Sequence, residues 1–316
     1  MLRLLCRQVL FALITILIAI TVLFFLVEIN SDSFVASRLG LESNEELRFV
    51  VKTEYQLNLP LEMRFVKFFS RVLTLRLFVS NATNASILPG LLKDLAGSLT
   101  VALIGIALAT LVAIFIALVS VHTKNKYLEY FCRLFGTLGL SMPEVNFALF
   151  FHVIFRTSLL GLVFLGLEKP MFSSPLFNRL VILALPVTFL VMKLFATSFR
   201  YIRAEMLHVM NQEFIMAEKS RGLSKMRIYL GSVLRNSYVA IIPSLGVLLL
   251  EAINSLIILE MFFPTSRFFK GFIQAAFKQD TYLIIAHFTL VIVAVVLVSW
   301  ILDFFLALTN PRISYH

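Results

Sequence analysis

The sequence predicts an all-α polytopic membrane protein with six transmembrane helices and both termini in the cytoplasm. Three observations carry that prediction. Of 316 residues, 59% are hydrophobic and only 15% charged, with a mean hydropathy of +0.92, well beyond what a soluble core requires. The apolar residues gather into separate runs of about 20, the length that crosses a bilayer. The short loops between runs are basic on alternate sides, which sets orientation by the excess of Lys and Arg inside.

The net charge of +10 sits in those short loops, not on a soluble basic domain. It therefore reads as topology and not as nucleic-acid binding. Cys6 and Cys132 lie far apart, with neither metal spacing nor a disulfide framework. No apolar stretch precedes Cys6, as a lipidation site would need.

Arg3 and Arg7 precede an apolar run from Val9 to Val27. The run is too long for a signal peptide and no small-residue cleavage site follows, so residues 1–28 read as a first span. Residues 29–98 form an external region with sequon patterns at Asn81 and Asn84. A permease-like core of five further spans occupies residues 99–309. The second span runs from Leu99 to Val119, and Lys124 and Lys126 place the next loop inside. The third, Tyr130 to Phe155, is interrupted at Ser141-Met142-Pro143-Glu144. Proline there frees a backbone carbonyl, tolerable only where protein or water satisfies it, so Pro143 is a candidate pathway residue. Residues 156–178 return outside. The fourth span, Leu180 to Phe199, ends at Arg200 and Arg203, and a cytoplasmic loop of residues 204–236 follows. The fifth span is Tyr238 to Leu259, the sixth Leu283 to Leu308, and residues 310–316 are a cytoplasmic tail. Gly-x-x-x-Gly packing signals are missing from the spans, and the 32 phenylalanines read mainly as lipid-facing.

Asn211 to Asn236 is the longest basic, polar run in the chain. Its punctuation is that of two short helices with a break. Asn211 suits an N-cap, Glu213 the first turn, and Lys219 and Arg221 the last turn. Gly222 stands where a helix-terminating residue adopts positive φ, and Ser224 is placed to cap a second helix. Met210, Phe214 and Ala217 recur at i, i+4 and i+7 as a narrow apolar stripe. A short capped helix between spans is built to be gripped from the cytosol.

Glu213-Phe214-Ile215, Ala217, Arg221-Gly222-Leu223-Ser224 and Leu234-Arg235-Asn236 resemble the cytoplasmic loop of ABC importer permeases. The dipeptide and oligopeptide branch is nearest, with its Asp-Tyr-Val-x-x-Ala-x-x-Lys-Gly-Leu-Ser and later Leu-Arg-Asn. Further matches follow in order: Leu39-Gly40-Leu41-Glu42, Tyr55 to Leu61 with Arg64-Phe65, Leu140 to Pro143, Arg200 with Arg203, Glu260 to Phe263, Lys278 to Tyr282, and Asn310 to Ile313. They extend over nearly the whole chain. The resemblance implies a type I ABC importer permease fold in a bacterial cytoplasmic (inner) membrane. It implies a subunit forming half of a translocation pathway, peptides being the family's commonest cargo. The coupling residues it points to are Glu213, Phe214, Ala217, Glu218, Lys219, Arg221, Gly222, Leu223 and Ser224, docking on a separate ATPase. Expected partners are ABC ATPase subunits, a second homologous permease, an extracytoplasmic substrate-binding protein and the lipid bilayer. No cofactor and no catalytic residue is expected, since there is no Gly-x-x-x-x-Gly-Lys phosphate loop and the five histidines show no ligand spacing.

The departures from the family are informative. Glu218 occupies a position that is normally small, and Phe263-Pro264-Thr265-Ser266-Arg267 replaces a Trp-Pro-Gly loop. Lys193, Glu251 and Asn254 stand in spans where small uncharged residues are usual. A charge near mid-membrane costs about 2.5–3.5 kcal/mol on insertion scales. Lys193 and Glu251 have three open readings: they pair, they face a water-filled path, or they meet a partner permease. At about 1.5 Å of rise per residue their depths differ by several ångströms, which favours Glu251 as a pathway residue over the pair. Asp303 and His287 read as interhelical or interfacial polar contacts, and Glu260 as a structural hydrogen-bonding group, with its resemblance to the family leaving a gating role open. The competing class is an ion- or proton-coupled secondary transporter relaying through Lys193, Glu251 and Asp303. It lacks an internal repeat and gives no reason for the Gly222-Leu223-Ser224 turn.

Overall fold

A computed structural model describes residues 2–29, 44–54, 57–74, 86–123, 126–141, 143–156, 175–263, 265–277 and 280–309, with residues 35 and 78. Several of the family-like runs lie outside the described residues: Leu39 to Glu42, Tyr55-Gln56, Lys278-Gln279 and Asn310 to Ile313. So do Asn81, Asn84 and most of the loop before the fourth span. The helices, in order, are α1 (Leu2–Ile29), α2 (Glu45–Glu54), α3 (Leu61–Leu73), α4 (Leu88–Thr123), α5 (Lys126–Ser141), α6 (Glu144–Arg156), α7 (Pro175–Met210) and α8 (Glu213–Ser220). Then come α9 (Lys225–Arg227), a π-helical segment (Ile228–Val233), α10 (Leu234–Phe262), α11 (Phe268–Phe277) and α12 (Thr281–Thr309).

Among the described residues, five helices are long and apolar enough to cross a membrane: Val9–Leu26, Leu88–Thr123, Ile182–Met210, Ile241–Phe262 and Leu283–Leu306. They carry the first, second, fourth, fifth and sixth expected spans. The third, expected to be interrupted at Ser141 to Glu144, is two helices, α5 of 16 residues and α6 of 13, separated at Pro143. Proline has no N–H for the helical ladder, and its ring pushes the preceding residue out of the α region. Two boundaries move. The helix of the second span begins at Leu88, and α7 runs on to Met210, so residues 204–210 are helix and not loop.

The chain forms two compact units. One comprises residues 1–96 with 268–297, the other residues 97–267 with 298–316. In the first, Phe24 on α1 packs against Phe65 and Phe68 on α3 at centroid distances of 5.2 and 5.3 Å. Arg64 and Glu28 add an ion pair. His287 is buried between α12 and α11: its ring lies 4.8 Å from that of Phe268, and Nδ1 is 2.7 Å from the Leu283 carbonyl oxygen. A Cβ at Gly271 would lie 3.2 Å from His287 Nε2, so glycine is what admits the ring. The contact is intramolecular packing between helices, as the sequence suggested.

The second unit is built on α7 and α10, with α5 against α7 and α6 against α10. Leu190, Leu194, Ser198, Ile202 and Met206 recur every four residues on the buried face of α7, and Leu248, Leu249, Ala252, Leu256 and Leu259 supply that of α10. On α4, Ala102, Ala109, Ala113 and Ala117 are wholly buried. At Gly105 an added Cβ would lie 3.0 Å from Leu190 Cβ. Close helix packing on α4 is thus achieved mostly by alanine and not by paired glycines; small side chains of either kind let backbones approach. Nor is phenylalanine merely lipid-facing, since Phe189, Phe195, Phe199 and Phe263 are core residues.

Candidate functional site

The stretch from Asn211 folds as a short helix with a glycine-terminated end. The N-cap of α8 is Gln212, in extended conformation (φ −73°, ψ 149°), and makes no capping side-chain bond. Asn211, expected there, instead lies in the turn that ends α7, its N–H bonded to the His208 carbonyl at 3.1 Å. Because α7 runs through Met210, the helix must break over two residues, which displaces the cap by one. Glu213 and Lys219 occupy the first and last turns as expected, matching the helix dipole.

At the other end Arg221 is the C-cap and Gly222 has φ +75°. The Gly222 N–H donates to the Lys219 carbonyl at 3.0 Å, and the Leu223 N–H to the Glu218 carbonyl at 3.3 Å. This pair of bonds is the Schellman arrangement, which satisfies the last orphan carbonyls and reverses the chain. Ser224 then takes the N-cap position of α9, in extended conformation, but its hydroxyl makes no capping bond; only its backbone carbonyl accepts, from the Ile228 N–H at 3.1 Å.

The expected stripe of Met210, Phe214 and Ala217 is corrected by the burial pattern. Phe214 and Ala217 are exposed, and Ile215 is the fully buried residue of α8. The two-residue break rotates α8 out of phase with α7, so Met210 cannot extend a face onto it. Ile215 enters one continuous core with Phe199, Ile202, Met206 and Val209 of α7, Ala117 and Val121 of α4, Ile228, Tyr229 and Val233. Leu223 packs on the same core. Burying such a side chain stabilises by about 1.5–3 kcal/mol, so α8 is rooted in the membrane helices.

Polar contacts complete the attachment. Ser232 Oγ, in the π-helical segment, donates to Glu218 Oε1 at 2.7 Å, while Glu218 Oε2 is buried without a hydrogen-bond partner. The unusual carboxylate thus ties α8 to the root of α10. We expect Ser232→Ala to raise the protease sensitivity of α8 about two- to tenfold, the range that one net hydrogen bond allows, with membrane levels unchanged on immunoblots. The Tyr229 hydroxyl donates to the Val121 carbonyl at 3.4 Å, and its ring stands 5.2 Å from that of His122. Burial pushes the Tyr229 phenol up, so it stays protonated and a donor. Arg203 Nε donates to Ser120 Oγ at 3.2 Å, binding α7 to α4. Around this root Tyr201, Phe214, Met216, Met226 and Leu230 are exposed.

Deeper in the spans, Thr197 Oγ1 donates to Glu251 Oε1 at 3.2 Å. Lys193, half-buried, lies one turn before Thr197 on α7. Glu251 Oε2 is buried and has no hydrogen-bond partner. Pro243, Val247, Leu250, Asn254 and Met261 form an exposed stripe down α10, and Glu251 stands on its border. Pro143 is exposed too, at the break between α5 and α6. At the end of α10, Glu260 is 1% exposed and accepts hydrogen bonds from Ser98 and Ser266. Neither serine stands out in the sequence; only the carboxylate in an apolar helix signals the site.

The family described as binding-protein-dependent transport system inner membrane component matches residues 105–315. Similar proteins include the oligopeptide transport system permease protein AppB of Bacillus subtilis, 26% identical over 225 residues and 71% of each chain. The dipeptide transport system permease protein DppB of the same organism is 23% identical over 96% of this chain and 94% of its own. The oligopeptide transport system permease protein OppB of Haemophilus influenzae is 25% identical over the full length of both.

Proposed function

Because this chain belongs to the inner membrane components of binding-protein-dependent transport systems, we propose that it is a permease subunit of an ATP-driven peptide importer. It is a multi-pass protein of the cytoplasmic membrane, and hydrolysis takes place in separate ATPase subunits. Peptides are the cargo named for its relatives. The observation that carries the mechanism is the rooted helix α8. It presents Glu213, Phe214, Ala217, Lys219 and Arg221 to the cytosol, and its glycine turn leads into α9, the π-helical segment and α10 without a flexible linker. Closure of two ATPase subunits around bound ATP moves α8, and the turn at Gly222 passes that movement into α10. A second, homologous permease supplies the other half of the path, and a substrate-binding protein delivers the cargo outside. The pair alternates between inward- and outward-facing states, driven by the ATPase. In proteoliposomes containing the assembled complex and binding protein, peptide uptake should require ATP. Uptake that continues without ATP and stops when the proton gradient is collapsed would overturn the reading.

Glu251 is the residue we assign to cargo selection. Its unpartnered Oε2 borders the exposed stripe of α10, and an ionised carboxylate at that depth needs a donor. A cationic group on a passing peptide supplies one. Glu251→Gln should slow uptake of basic peptides about tenfold, a change of about 1.4 kcal/mol, and leave neutral ones near wild type. An equal effect on both classes would contradict the assignment.

A further inference from the structure

We propose that Ser98, Glu260 and Ser266 form a latch that holds the external mouth of the permease shut and must break each time it opens. The inference rests on the importer reading above and adds positioning residues to its transport cycle. Ser98 lies on α4, Glu260 in the last turn of α10, and Ser266 in the turn that follows. Glu260 and Ser266 stand at the end of α10 that faces outside in the expected topology, and Ser98, ten residues beyond the start of α4, lies beside the outer start of the expected second span. Both hydroxyls converge on one carboxylate oxygen, Glu260 Oε1: Ser266 Oγ donates to it at 2.7 Å, Ser98 Oγ donates to it as well, and the two hydroxyls touch each other. Ser98 is wholly buried and Glu260 nearly so. Alongside, a Cβ at Gly97 would lie 3.2 Å from Ser266 Cβ, so the turn after α10 is drawn tightly onto α4.

Three features make this a latch and not ordinary packing. Ser98 is distant in sequence from both Glu260 and Ser266, so its contact with them cannot survive a separation of α4 from α10. A carboxylate is the strongest uncomplicated acceptor a side chain offers, and here it is placed at the membrane edge instead of an apolar residue. Opening the mouth brings water to the three groups, so the bonds can be exchanged for hydration without leaving orphaned polar atoms in lipid. Such a cluster is stable when closed and inexpensive to open on the wet side.

The test uses the assembled complex and reads ATP hydrolysis without binding protein, together with peptide uptake. Ser98→Ala and Ser266→Ala loosen the latch, ease the outward-facing state and raise basal hydrolysis about three- to tenfold, as loss of one hydrogen bond allows. Glu260→Ala does the same, and Glu260→Gln, which keeps an acceptor oxygen but loses the charge, raises it less. The pair Ser98→Cys with Ser266→Cys, once oxidised, abolishes uptake and lowers hydrolysis, and a reductant restores both. Opposite signs on loosening and locking are what a structural contact would not give. Serine variants with unchanged or reduced basal hydrolysis, or full uptake through the oxidised pair, would overturn the latch. A wild-type complex that fails to take up peptide with ATP would instead count against the importer reading itself.

Discussion

Gly222→Val is expected to abolish ATP-driven uptake while the chain still inserts at wild-type levels. At φ +75° an ordinary L-residue is strained by about 1–2 kcal/mol, and a β-branched one is a genuine outlier in this region. The space around the residue is open, with nothing within 4 Å of an added Cβ, so the penalty is conformational and not steric. To relieve it the backbone leaves the left-handed region, which breaks the Gly222 N–H to Lys219 and Leu223 N–H to Glu218 bonds. The direction in which α9 departs then changes, and motion of α8 no longer reaches α10. Hydropathy of the spans is untouched, so insertion is preserved. Gly222→Asn serves as the control: asparagine tolerates this conformation, and most of the uptake should return. Measuring uptake against membrane abundance for both variants separates the turn from folding. Normal uptake in the valine variant would remove the rigid-turn account.

Ile215→Asp has the second large effect. The side chain is wholly buried in a core shared with α4 and α7, and an uncompensated carboxylate there costs several kcal/mol. That exceeds the roughly 1.5–3 kcal/mol its burial contributes, so α8 undocks. We expect ATPase stimulation by binding protein to vanish and α8 to become sensitive to protease in inside-out vesicles. Phe214→Asp, on the exposed neighbouring position, should leave α8 protected while weakening ATPase association. Equal protease sensitivity in the two variants would contradict the assignment of Ile215 as the root.

These two residues also mark how far the sequence could be read. Spans are legible because hydropathy sums over about twenty residues and tolerates local error, and Pro143 and Gly222 are legible because each residue type has one dominant backbone effect. Ile215 was hidden for a different reason. In a helix of only two turns, adjacent Phe214 and Ile215 are about 100° apart, and the break at residues 211–212 removes the phase that would choose between them. The alanine face of α4 was missed because alanine has no strong preference for an interface until a partner such as Leu190 is known. Ser98 and Ser266 carry no local signal; their meaning arises from a contact spanning most of the second unit. What a sequence withholds here is pairing between distant segments.

The central claim is that α8 couples this permease to an ATPase. The most direct test is to purify the tagged chain in mild detergent and identify what accompanies it by mass spectrometry. An ABC ATPase and a second six-span permease are expected to accompany it, with the ATPase lost when residues 213–222 are scrambled and the second permease retained. A transport-active chain that purifies alone, or an ATPase that remains bound after scrambling, would contradict it.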